Sequence, residues 1–172
     1  MSLFPTLTRC WTRIGQQRVI RTPGVHAPQC WDWGAVDIVS GRTLHRLHPR
    51  RNKVGLRRLL AAISRAYELT TRPQRKGIVF VDNDKAHYAR SVRRLVDKFQ
   101  GQIKLEYLAP YAPELNPQED IWQHMRRKVT HNYYFEHMER LVAAVDAFHD
   151  ELQAHPQQVL QLISKWTHFI AA

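Results

Sequence analysis

Two stretches of the chain carry side chains suited to handling a divalent cation. The first is VFVDNDKAH, residues 79–87, where an apolar run breaks directly into Asp82, Asn83 and Asp84, with His87 shortly after. The second is LAPYAPELNPQEDIW, residues 108–122, which carries Glu119 and Asp120 near its end. In open α/β sheets, sites form at the carboxyl ends of strands, which is where Asp82 would sit. Hard cations such as Mg²⁺ take oxygen ligands. Two such ions about 4 Å apart can activate a water and stabilise a leaving oxygen in phosphodiester chemistry. Each acid also has a humbler role open to it. Asn83 or Asp84 can cap a following helix. Asn116 reads as an N-cap with Pro117 at the first helical position, and Glu119 then stands where a capping box places its Glu. Asp120 can serve the helix dipole. Spacing alone favours the capping and dipole roles for Glu119 and Asp120. The combination of one acid ending a strand and another opening a helix favours paired carboxylates at one sheet edge.

The charge balance points to a polyanionic partner. Lys+Arg is 26 against 15 Asp+Glu, a net of +11. Residues 1–58 hold 11 basic residues against only Asp32 and Asp37, so +9 of that charge lies in the first third of the chain. Clustered arginine on a basic domain is the electrostatic footprint of nucleic-acid binding. The 172 residues fit one domain with a buried core. No run approaches the roughly 18 apolar residues of a membrane span, and no secretion signal opens the chain. Cys10 and Cys30 match no metal spacing and are too few for a disulfide framework, so a reducing cytoplasm is the default.

The elements that must position the acids follow from periodicity. Residues 1–28 are loop-rich, with a short strand expected at 18–21. Residues 30–38 and 43–48 read as an antiparallel hairpin around a turn at 39–42. Leu56, Leu59, Leu60, Ile63 and Tyr67 form one helical stripe. Residues 78–81 read as a short buried strand. A helix with Val92, Leu95, Val96 and Phe99 on one face follows, then a strand over 102–109. Helices centred on 121–129, 141–152 and 159–170 close the chain. Strand–helix–strand units require parallel pairing through crossovers. The expected fold is therefore α/β, a mixed sheet flanked by helices.

The paired motifs, together with PTLTRCWTRIGQQ and GAVDIVSGRTL upstream, resemble the catalytic domain of DDE-type transposases over roughly residues 3–135. The similar branch is that of bacterial insertion sequences allied to mariner elements. Its pattern is a strand ending Asp-Asn with a His a few residues on, then Pro-Tyr-x-Pro-x-Leu-Asn-Pro-x-Glu. The resemblance implies a ribonuclease H-like fold with Asp-Asp-Glu ligands for Mg²⁺ or Mn²⁺. It implies DNA as partner, both transposon ends and target, and association with further copies or intact transposase subunits in the bacterial cytoplasm at the nucleoid. By position, Asp82 matches the second Asp and Glu119 the Glu. Asn83, His87 and Asn116 match supporting positions, whereas Asp84 stands where the branch has a small residue and is assigned to the loop. Residues 1–135 would form the catalytic domain and 136–172 a set of helices packed on it.

The first Asp of the pattern has no counterpart, nor does the strand that carries it, so the resemblance implies a chain that is the C-terminal part of a longer transposase. Two expectations follow. The metal site is short of one ligand, since Asp32 and Asp37, five residues apart, face opposite sides of a regular strand. The sheet lacks its central strand and leaves two unpaired edges, which favour association. An inactive remnant that binds DNA or transposase subunits is the alternative reading. Trp31 and Trp33 read as packing residues. Arg126, Arg127 and Lys128 lie outside the stripe of Ile121, Trp122, Met125 and Val129, where they can face DNA or solvent alike. His45 and His48 fit no metal motif, and His124, His131 and His137 read as surface or packing residues.

Overall fold

The computed structural model describes residues 1–2, 5–22, 28–72, 74–110 and 112–167. Pro73, Tyr111 and the end of the last expected helix lie outside these. The hairpin forms as expected, β1 (Trp31–Val36) against β2 (Thr43–His48), in a register running from Trp31↔His48 to Val36↔Thr43. Its turn is built by Asp37, whose Oδ1 accepts the Val39 and Ser40 N–H groups at 2.9 and 3.2 Å. The Ser40 hydroxyl donates to Asp37 Oδ2 at 2.7 Å. Gly41 completes the turn at φ 72°, a left-handed backbone that favours glycine.

Alternation along the hairpin sends its two faces into two different cores. Trp33, Ala35 and Leu44 join Leu56, Leu59, Leu60 and Ile63 of α1 (Lys53–Ala66) in one. Val36, Ile38 and Leu47 join the other, which is formed by α3 (Pro117–Met125), α4 (Met138–Ala154) and α5 (Pro156–Leu162). The contact with α1 is close: a Cβ on Gly55 would lie 2.0 Å from the Trp33 Nε1, so a side chain there is excluded. Asn52 starts α1 by accepting the Val54 N–H at 2.9 Å.

The second sheet is β3 (Gly77–Val81) with β4 (Ile103–Tyr107), paired in parallel through α2 (Arg90–Lys98). Val92, Phe99 and Ile103 bring this unit into the α1 core. β3 is buried on one face only. Ile78 and Phe80 are 59% and 61% exposed, because α1 and α2 cover the other side while these two open toward a cleft. Residues 18–21, expected as a strand, form none; Val19 is exposed, and strand alternation would set Val19 with Arg21 and Ile20 with Arg18, leaving no face wholly apolar. The helix expected over 159–170 divides into α5 and α6 (Ser164–Thr167), and the division lets Lys165 and Trp166 reach Asp120. The stripe expected through Val129 continues from α3 into a π-helical turn, Arg126–Thr130.

Among the described residues each sheet has two strands, and β1 is not joined to β3. The start of β1 lies by the end of β3, since the Trp33 ring meets the His87 ring at 6.2 Å. At the other end Tyr67, just past α1, donates to Asp37 Oδ2 at 2.8 Å, and Leu69 packs by Gly77. The strands therefore run in opposite directions, and between them opens a cleft of about 1120 Å³. The mixed α/β reading of the sequence holds, as does the expected break at the sheet's centre.

The Asp37 turn carries a pH signature. Burial raises the Asp37 pKa, but the Ser40 and Tyr67 hydroxyls and the turn amides outweigh it and set the carboxyl below its usual value. A carboxylate so depressed stabilises the fold above the unfolded value of about 3.9, and that contribution is lost as pH falls through the lower folded value. Asp37→Asn is expected to cost about 1 kcal/mol at neutral pH, discounted for partial exposure. Urea unfolding at neutral pH and again in acid should show the gap between variant and parent closing as the pH drops.

Candidate metal centre

Asp82 follows Val81 at the carboxyl end of β3, where the ladder ends and the chain turns. Its Oδ1 lies 2.9 Å from His87 Nδ1 and accepts the Asp84 N–H at 3.1 Å. The His87 Nδ1 is also 2.7 Å from the Asp82 carbonyl, so one ring nitrogen grips both ends of the residue. The His87 bond holds the Asp82 carboxyl below its usual pKa, against the opposing effect of burial. Burial lowers the His87 pKa, but the bonds to Asp82 outweigh it and raise it above the ordinary imidazole value. The result is an ionised, oriented carboxylate that remains 51% exposed.

The neighbouring residues lock the strand end. Asn83 Nδ2 donates to the Leu108 carbonyl at 2.6 Å, and Asn83 Oδ1 accepts the Tyr88 hydroxyl at 2.5 Å. The Tyr88 and Tyr107 rings stack at 4.6 Å. The Leu108 N–H reaches back to the Val81 carbonyl at 2.9 Å, extending the parallel pairing past the strands. Asp84 is loop chemistry, as expected: it accepts the Ala86 N–H at 2.7 Å and pairs with Arg51.

Glu119 lies in the first turn of α3. Asn116 caps that helix by accepting the Gln118 N–H at 3.1 Å, with Pro117 at its start. Glu119 does not close a capping box. It turns instead to Arg126, Oε2 to Nη2 at 3.4 Å. Asp120, expected only to serve the helix dipole, accepts from Lys165 Nζ at 2.9 Å and from the Trp166 indole at 3.0 Å, and so pins α6 to α3. Gln118 is buried against Gly34, where a Cβ would meet its Nε2 at 2.3 Å.

Asp82, His87, Asn116, Glu119 and Arg126 line the cleft between β1 and β3. Asn83, Arg127 and Lys128 do not; Lys128 pairs with Glu151 on α4 at 3.2 Å. Two hard carboxylates on one cleft fit a divalent cation by donor type. The remaining acids on the cleft are already engaged: Asp37 in its turn, Asp84 with Arg51, and Asp32 in the wall. The Asp32 side chain is only 3% exposed and lies 2.9 Å from His149 Nε2 while accepting the Trp122 indole at 3.1 Å. Burial would raise its pKa, but His149 and the nearby His45 ring hold it at about 2. In the sequence His45 fits no metal motif and His149 gives no signal, because the two are 104 positions apart and only folding joins them.

Comparison with known proteins bears on the family and the fold. The family model described as DDE superfamily endonuclease matches residues 2–142. A curated relative, the uncharacterized protein y4pE/y4sA of Sinorhizobium fredii, is 32% identical over 72 residues, covering 41% of this chain and 53% of that protein. Among solved structures, the Mos1 mariner paired end complex with Mn matches with a TM-score of 0.68 at 19% identity, over 95% of this chain and 48% of that one. The Mos1 strand transfer complex matches at 0.66 and 19%, over 96% and 48%. The chain thus spans about half the length of each of these, and at such identity the likeness to the solved structures is one of fold.

The strand-end lock is testable without activity. Asn83→Ala removes both hydrogen bonds and is expected to cost about 1–2 kcal/mol. Hydrogen exchange should report the change locally, with faster exchange at the Leu108 amide and little change in α4.

Proposed function

The chain belongs to the DDE superfamily of endonucleases, and from that premise we propose that it is the catalytic-domain part of a transposase, cutting and joining DNA with divalent metal ions. One observation carries the reading: Asp82 and Glu119, drawn from the two separate motifs, line a single cleft. These two carboxylates would hold the ion, Mg²⁺ or Mn²⁺. When bound, the ion supplies an activated water or 3′ hydroxyl and stabilises the leaving oxygen.

The chain's own side chains do the positioning. His87 keeps Asp82 ionised and aimed, and Arg126 holds Glu119 out along α3. Asn116 fixes where α3 begins, and Asn83 fixes where β3 ends. Basic residues supply the DNA surface. The exposed segment 6–19 interleaves Arg9, Arg13 and Arg18 with Trp11, which is fully exposed, a mixture suited to phosphate contact and stacking. Arg127, exposed beside the cleft-lining Arg126, extends that surface. The similar Mos1 structures hold transposon ends, and one is a strand transfer complex, which supports DNA as substrate. The unjoined edges of β1 and β3 support association with further subunits.

Two carboxylates, each already paired with a basic side chain, make a weak site, with ion affinity expected roughly in the millimolar range. The test is nicking of supercoiled plasmid across a Mn²⁺ series by the parent, Asp82→Asn and Glu119→Gln. Metal-dependent nicking by the parent, with at least a hundredfold loss in each variant, is the expected outcome. DNA binding without nicking at any Mn²⁺ concentration would leave DNA binding as the chain's own activity.

A further inference from the structure

The wall of the cleft holds a second group of metal-ligating side chains that uses neither Asp82 nor Glu119. Asp32 of β1, His45 of β2 and His149 of α4 each offer a ligand atom, all within 4.8 Å of one another. Gly34↔His45 and Asp32↔Leu47 are register pairs, so Asp32 and His45 sit diagonally on the same face of the hairpin. α4 lies on that face and delivers His149, whose side chain is 3% exposed, like that of Asp32.

Two buried atoms of this group that face each other, Asp32 Oδ1 and His45 Nδ1, have no hydrogen-bond partner; nor has His149 Nδ1, the ring nitrogen not bonded to Asp32. Burying a polar atom without a partner costs about 1–3 kcal/mol each, so a cluster of them marks a place that something else satisfies. Asp32 Oδ1 and His45 Nδ1 face each other at 3.6 Å, too far for a hydrogen bond. Two ligands bonded at 2.0–2.2 Å to a tetrahedral Zn²⁺ stand about 3.4 Å apart, close to that separation.

The surroundings fit the same purpose. The Trp122 indole donates to Asp32 Oδ2 and leaves Oδ1 turned to the imidazoles. His45 Nε2, the nitrogen away from Asp32, lies 3.7 Å from Asp146 Oδ1, beyond hydrogen-bond reach, so Asp146 offers a nearby negative charge rather than a bond to the ring. The His45 and His149 rings stack at 3.9 Å with their planes 10° apart, which keeps both imidazoles beside the carboxylate; binding one ion requires the rings to tilt apart. Asp32 and Trp122 line the cleft, which gives an ion its way in. Two imidazoles and one carboxylate are the donors of Zn²⁺ and its first-row neighbours, not of Mg²⁺.

We propose that Asp32, His45 and His149 form a structural site for Zn²⁺ or a like transition-metal ion, clasping α4 to the hairpin. The ion bonds to Asp32 Oδ1, His45 Nδ1 and His149 Nε2, and the last gives up its present hydrogen bond to Asp32 Oδ2.

The test uses the full chain, without a histidine tag, carrying Asp82→Asn and Glu119→Gln so that the other carboxylates take no part. After chelator treatment it is titrated with Zn²⁺ and, separately, with Co²⁺. One ion per chain is expected, together with a rise in thermal midpoint and the visible bands of a low-coordinate Co²⁺ complex. His149→Gln and His45→Gln should each lose the bands and weaken Zn²⁺ at least tenfold. Should a histidine variant fail to fold, X-ray absorption on the Zn²⁺-loaded parent still decides, two imidazoles being expected in the ligand shell. No uptake by the parent, binding unaltered in both folded histidine variants, or a shell without imidazole would each overturn the proposal and leave Asp32 in a buried ion pair.

Discussion

The structure depends on a half-buried hairpin that packs on both faces. A strand normally has one wet side, or lies deep in a broad sheet; here a two-stranded ribbon fills both roles by sending alternate side chains into different cores. Trp33, Ala35 and Leu44 hold α1, while Val36 and Leu47 hold the α3–α5 layer. A shift of one residue in the register would exchange the two sets and put Asp32 where Trp33 packs against Gly55. Gly34 and Gly55 have no Cβ because Gln118 and Trp33 occupy that space, so the ribbon's position is fixed by close approach as well as by apolar area.

The proposed active site inherits its geometry from this arrangement. Asp82 ends one sheet, and its direction is set by a short closed loop through His87 and Asp84. Glu119 opens a helix whose place is set by Gln118 packing on the hairpin. The local chemistry at the two residues differs accordingly. Asp82 is held by a buried imidazole that depresses its pKa, whereas Glu119 leans on a half-exposed guanidinium.

Much of this was legible in the sequence because it is local. The hairpin, the α1 and α2 stripes, the strand over residues 103–107 and the Asn116-Pro117 helix start each follow from short-range periodicity or capping. The two acidic motifs announced themselves by type and spacing. What could not be read was set by distant partners. Asp120 was assigned to the helix dipole because Lys165 and Trp166 lie 45 and 46 residues away. Glu119 looked like a capping-box residue because the pull of Arg126 has no short-range signature. The one-sided exposure of β3 arises from which helices cover it, and an apolar run does not carry that information. Asp32 read as an ordinary strand residue until α4 folded over it.

The cleft between β1 and β3 has a mechanical meaning. In a continuous sheet, two residues on neighbouring strands are tied by rows of backbone hydrogen bonds, which resist shear. Here Asp82 rides on one small sheet and Glu119 on the layer packed against the other, and the coupling between them runs through side chains at α1, the Trp33–His87 contact and the Arg51–Asp84 pair. Side-chain packing is far more compliant than a ladder. The spacing of the two carboxylates is therefore an elastic quantity in this chain, one that tightens with whatever stiffens the cleft.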